Sequence, residues 1–163
     1  MKVGKNSSYW RYRYHILVGI ASLAFGMYAW AQYTSLPFKG CSTVIRVTNH
    51  LQDKTLRRIL LLKIESNKGN AFTALLNGSF YEGGTRYMVD RIVTGTYQRQ
   101  GKGYLIQFTG NILKPKDTAT KDFLNQRLPT VGDKEIFRIE KIDRYNLLFS
   151  SNYAPLFVCT VAD

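Results

Sequence analysis

Between Ile16 and Phe38 lie 23 consecutive residues without a charged side chain. About 20 apolar residues suffice to cross a bilayer as a helix, and the most apolar part of this segment is Ile16 to Ala31. Lys2, Lys5, Arg11 and Arg13 precede it with no acid among them. Such a charge bias orients the N-terminal side toward the cytoplasm. Tyr9, Trp10, Tyr12 and Tyr14 stand before the segment, and Tyr28, Trp30 and Tyr33 stand near its exit. Aromatic residues at both ends are the pattern of interfacial belts. The segment therefore predicts a cytoplasmic tail over 1–15, a transmembrane helix over 16–38 and an exported domain over 39–163. That is a single-pass protein of a bacterial inner membrane with its main domain in the periplasm. A cleaved leader is the competing reading, since Ala29-Trp30-Ala31 follows a basic stretch and an apolar run. The apolar stretch continues past that point to Phe38, and both readings export the domain. Lipoprotein processing before Cys41 is disfavoured by the lysine in Phe38-Lys39-Gly40.

The formal charge is +12, from 23 Lys+Arg against 11 Asp+Glu. Charge of this size raises a nucleic-acid reading, but its placement argues otherwise. Beyond the tail the basic residues are interspersed with all the acids, and the longest basic run is Arg57-Arg58. A diffuse, solvated surface with some attraction to anionic lipid headgroups accounts for it, with no direct nucleic-acid contact. Hydrophobic residues at 45% provide for a packed core and exclude global disorder.

Cys41 opens the exported part and Cys159 lies near its end. An exported compartment is oxidising, which favours a bond between them. Two unpaired buried thiols are the alternative. No C-x-x-C pair is present, so thiol–disulfide exchange chemistry is not indicated.

Turn signals divide the rest into short apolar or alternating runs. Strands are predicted at Cys41 to Thr48, Arg58 to Glu65, Phe72 to Tyr81, Tyr87 to Tyr97 and Tyr104 to Leu113. Gly83-Gly84 is a hairpin signal, and residues 65–70 and Gly101-Lys102-Gly103 read as turns. Tyr87, Val89, Val93 and Tyr97 fall on one face. Tyr104, Ile106, Phe108 and Ile112 are in phase on the next strand. Asp117 or Thr118 is placed to cap a short helix to Gln126. Glu135 to Ile142, Tyr145 to Ser150 and Leu156 to Val161 close the set. The expected fold is mainly β: a small lipocalin-like barrel or strongly curved antiparallel sheet with one short helix, preceded by the membrane helix.

Chemistry-bearing motifs are scarce. His50 is the sole histidine of the exported part, too few for a histidine-rich metal site. It reads as a surface loop residue, with a pH-responsive role as the minor alternative. The acids do not form the tight pair used by hydrolases. No nucleophile elbow, phosphate loop or dinucleotide fingerprint is present. Asn6-Ser7-Ser8 and Asn77-Gly78-Ser79 match a glycosylation pattern, a short match that arises easily by chance. The reading is of a protein that is not an enzyme and uses no cofactor or metal. The 13% aromatic content goes to barrel core or wall, or alternatively surrounds a cavity for one small apolar molecule.

The stretches Asn77-Gly78-Ser79-Phe80-Tyr81, Tyr87-Met88-Val89-Asp90-Arg91-Ile92-Val93-Thr94-Gly95-Thr96-Tyr97 and Ala154-Pro155-Leu156-Phe157-Val158-Cys159, with the basic tail and single helix, carry a resemblance. The chain resembles the FidL-like family of small inner-membrane co-regulators, which includes proteins of the PsaF, ToxS and VtrC types. The likeness spans nearly the whole chain in architecture, through short motifs. It implies a heterodimeric partnership with a ToxR-like, membrane-bound transcription activator that has a cytoplasmic winged-helix domain and a periplasmic sensor domain. The small protein would bind and stabilise that sensor domain and help control virulence or fimbrial genes in response to an envelope signal. For the VtrC type it implies a lipocalin-like barrel that takes up a bile salt, and for the PsaF type an association with acid-responsive fimbrial genes. The residues alone are compatible, because a tail of about 14 residues is too short to fold as a DNA-binding domain. An independent lipocalin-like binder of a lipid or bile salt is the alternative. An open barrel edge near Cys41 or near Cys159 could accept a partner strand.

Overall fold

The computed structural model describes residues 7–34, 36, 38–51, 54–151 and 154–161. They fall into two compact units, split between Ser35 and Leu36.

The first unit is helix α1, Ser7–Thr34. Its 28 residues extend roughly 42 Å at the usual rise per residue. Its apolar centre, Ile16 to Met27, is shorter. Arg13, Tyr14 and His15 bracket that centre on one side, Tyr28 and Trp30 on the other. Among the described residues no helix is long and apolar enough to cross a membrane. Ile16, Leu17, Val18, Ile20, Leu23 and Phe25 are all exposed on α1.

The second unit is a closed antiparallel barrel in which each strand pairs with the next and the last returns to the first. Its elements are β1 (Gly40–Leu51), β2 (Lys54–Asn67), β3 (Ala71–Glu82), β4 (Thr85–Gln100), β5 (Gly103–Leu113), α2 (Asp122–Asn125), β6 (Lys134–Lys141), β7 (Asn146–Ser151) and β8 (Ala154–Val161). The barrel and the short helix agree with the sequence expectation. Side chains alternate in and out with the two-residue period of a strand. On β4, Val89, Arg91, Val93 and Tyr97 point inward and are buried. The hairpin at Gly83-Gly84 forms with φ of 52° and 88°, the two positive values that a type I′ turn requires. At Gly78 a side chain is sterically barred, since a Cβ would lie 2.1 Å from the Ile59 carbonyl oxygen.

Three local departures from the sequence expectation have identifiable causes. First, the ladder between β4 and β5 shifts between Thr94 and Gly95: Gly95 faces Phe108 while Thr94 faces Gly110. Thr109 is the extra residue of a bulge, and one extra residue reverses the facing of all that follow. Ile112, placed by phase on the core face, is therefore exposed, and Asn111 turns inward. Second, α2 is a single turn. Its N-cap position is Lys121 without a side-chain cap, and Asp117 is engaged elsewhere, as described below. Third, β1 continues to Leu51, so His50 is an exposed strand residue, 3.4 Å from Thr55 Oγ1 by its Nδ1, and not a loop residue.

The barrel has a near end, where the chain passes from Lys39 into β1, and a far end. The near end is filled by apolar and aromatic groups. Leu36 and Phe38, the last residues of the uncharged segment, lie in the barrel core. Phe38 meets Phe149 edge-on at 5.8 Å, and Phe149 stacks on Phe157 at 4.8 Å. Tyr97 meets Tyr104 edge-on at 6.3 Å. At the far end the connection between β5 and β6 folds back as a plug, burying Ala119, Leu124 and Leu128.

Candidate functional site

Between the two closures lies a cavity of about 440 Å³, within the size range of small-molecule sites. Its wall is largely aliphatic and aromatic. Ile45 and Val47 contribute from β1, Leu60, Leu62 and Ile64 from β2, Phe72 and Leu76 from β3, and Ile106 and Phe108 from β5. Leu36 and Phe38 close it toward the near end, and Gln126 to Pro129 of the plug line it toward the far end. Four charged residues also line it: Arg58, Arg127, Asp133 and Glu135.

The plug is held by a buried ion pair. Arg91 Nε donates to Asp117 Oδ2 at 2.7 Å and Arg91 Nη2 to Oδ1 at 3.1 Å. Arg91 Nη2 also donates to the Ala119 carbonyl at 2.8 Å. Asp117 accepts in addition from the Asp90 and Ala119 amides. Both side chains are almost fully buried, and bidentate, charge-assisted geometry of this kind compensates the loss of water. Burial alone would raise the Asp117 pKa. The Arg91 hydrogen bonds and charge, together with the two amides, outweigh it and lower the value. Thr118 and Ala119 amides bonding to the Met88 carbonyl complete the attachment.

The barrel has one weak ladder. β1 pairs along its whole length with β2, but with β8 only at Cys41–Val161 and Ser42–Thr160. The disulfide Cys41–Cys159 stands at this short pairing, with Cα atoms 5.6 Å apart. The two cysteines named from the sequence are thus one bond, and the two candidate edges are the two sides of one seam. Ile45 and Val47 line the cavity on one side of the seam, Leu156 and Phe157 on the other. The ladder of β7 and β8 shifts between Phe149 and Ser150, so Leu156 sits in a bulge beside the seam.

The remaining sequence-predicted residues lie outside this constellation. His50 is on the outward-facing set of β1. Lys2 and Lys5 are outside the described residues. Arg11 and Arg13 belong to α1. Ser79 of the Asn77-Gly78-Ser79 match is buried and accepts from Arg86 Nε. Among the described residues no cluster of His, Cys, Asp and Glu could hold a metal ion.

Sequence reasoning missed Arg58, Arg127 and Arg91, and it took Asp117 for a helix cap. The signal for Arg58 was present. In Leu56-Arg57-Arg58-Ile59-Leu60-Leu61-Leu62-Lys63-Ile64 the even positions alone are the inward set, and Arg58 is the single charge among them. Arg57 faces out and lies over the Tyr81 ring at 4.9 Å. The chain matches no protein-family profile and no curated protein.

Proposed function

We propose that this chain is a membrane-tethered envelope protein whose barrel takes up one small amphipathic molecule, a binding function and not a catalytic one. The observation that carries the reading is the cavity of about 440 Å³ inside a closed barrel, walled by apolar side chains and rimmed by a few charged ones. The tether is α1, held in the inner membrane with residues 1–15 in the cytoplasm and the barrel in the periplasm. Support for it is the uncharged segment, the basic residues before it and the exposed apolar side chains of α1. A short apolar centre is accommodated by local thinning of the bilayer and by flanking side chains that reach the interface. The test is native mass spectrometry of the full chain released from membranes, before and after addition of fatty acids and bile salts. A bound small molecule is expected, and Ala74→Trp, which fills the cavity, should abolish it. A chain that carries no ligand under any of these conditions overturns the reading.

A second reading is favoured by the seam. A β1 edge that is unpaired beyond Ser42 among the described residues offers main-chain groups to an added strand. This supports a co-regulator that binds the periplasmic sensor domain of a ToxR-like, membrane-bound winged-helix activator and stabilises it, in control of virulence or fimbrial genes. A neighbouring frame should encode a single-span winged-helix protein, and co-expression with it should yield a heterodimer that protects the sensor domain from proteolysis. No complex, or no such neighbouring frame, argues against it.

A further inference from the structure

We infer that the molecule taken up by the barrel carries an anionic head, held by the guanidinium groups of Arg58 and Arg127 at the far mouth of the cavity. This rests on the reading of the cavity as a binding site and adds its polarity. Over Leu56 to Ile64, Arg58 is the only charge among the inward residues of β2. Its ladder neighbours are Val47 and Phe80, so the residues directly beside it offer no acceptor side chain. Its Nε is buried with no hydrogen-bond partner. A buried donor without an acceptor is costly, and the buried Arg91 shows what compensation looks like: it has both oxygens of Asp117 and a carbonyl.

Arg127 approaches from the plug and aggravates the imbalance. Burial lowers the Arg58 pKa, and the Arg127 charge lowers it further. Two cations converge on an apolar cavity, and among the described residues neither is in an ion pair. Asp133 and Glu135 line the same cavity, and among the described residues no ion pair joins them to either arginine. Burial raises the Glu135 pKa, and the Asp133 charge raises it further. An anionic group accepting from both guanidiniums supplies the missing acceptor for Arg58 Nε and relieves the repulsion between the cations. Its apolar body then lies along Leu60, Leu62 and Phe72. Carboxylate, sulfonate and phosphate monoester heads share this chemistry.

The test measures retention of radiolabelled myristate, tetradecyl phosphate and 1-tetradecanol by the full chain in phosphatidylcholine nanodiscs, relative to empty nanodiscs. At least one acid should be retained over the alcohol by about tenfold or more, and the stronger of the two acids identifies the head. Arg58→Met and Arg127→Gln should each remove most of that preference, and an unchanged β signal in circular dichroism reports that the barrel is intact. Equal retention of acids and alcohol, or a preference that survives both substitutions, overturns the inference while the cavity reading stands. Retention of none of the three overturns both.

Discussion

The two ends of the barrel are closed by different physics. At the near end the closure is covalent and apolar: Cys41–Cys159, Leu36, Phe38 and the Tyr97–Tyr104 contact. At the far end it is a folded-back connection fixed by one buried ion pair, with four charged residues at the mouth. Apolar packing and a disulfide do not respond to proton concentration in the acid range, whereas a buried carboxylate does. The near end is thus built for permanence and the far end for conditional closure.

The largest expected effect tests the near end. Cys41→Ser and Cys159→Ser should each lower stability by about 4 to 5 kcal/mol on the chain-entropy account, and the double mutant should lose no more. Denaturant unfolding of the three variants checks this, and additive losses would break the idea of a shared closure. Next comes the far end. Asp117→Ala leaves Arg91 buried without its partner and should cost about 3 to 5 kcal/mol. The pH dependence follows from the same pair. Asp117 has a lowered folded pKa, so its stabilisation is fully present above the unfolded value of about 4. It is lost as pH falls through the folded value. Acid titration should therefore show protease cleavage in residues 114–133 before any loss of the β signal. Simultaneous loss of both would erase the distinction between the ends. Phe38→Ala should cost roughly 3 kcal/mol through the cavity it leaves, with no change in acid sensitivity. The smallest effect is Arg57→Ala, at most about 1 kcal/mol from the lost contact with Tyr81. A thermal-melt shift as large as that of Phe38→Ala would mean that the outer wall carries more of the stability than the ends do.

Much of the barrel was legible because its period is simple. The alternation in Tyr87 to Tyr97 and the Gly83-Gly84 turn are local signals, and both appear where expected. The bulge at Thr109 was not legible, since it depends on Gly95 yielding space: a Cβ there would meet the Phe72 ring at 2.5 Å. The site was less visible than the fold. Arg91 and Asp117 are 26 positions apart, and nothing local marks an aspartate as a buried partner when helix capping explains it equally well. Arg58 and Arg127 are brought together only by the plug, whose path follows from that same pair. Leu36 and Phe38 read as the tail of an apolar helix because composition does not show where a helix stops and a barrel core begins.

The bond between Cys41 and Cys159 has a mechanical consequence. It turns the first and last strands into one covalent hoop at the point where tension along the chain ahead of Gly40 would enter. A tug from that side is divided between β1 and β8 at once, and through them reaches β2 and β7. Without the bond, the two-residue ladder between β1 and β8 would tear first and β1 would peel away from β2. With it, traction has to break full-length ladders in shear, so the barrel yields as a whole or not at all.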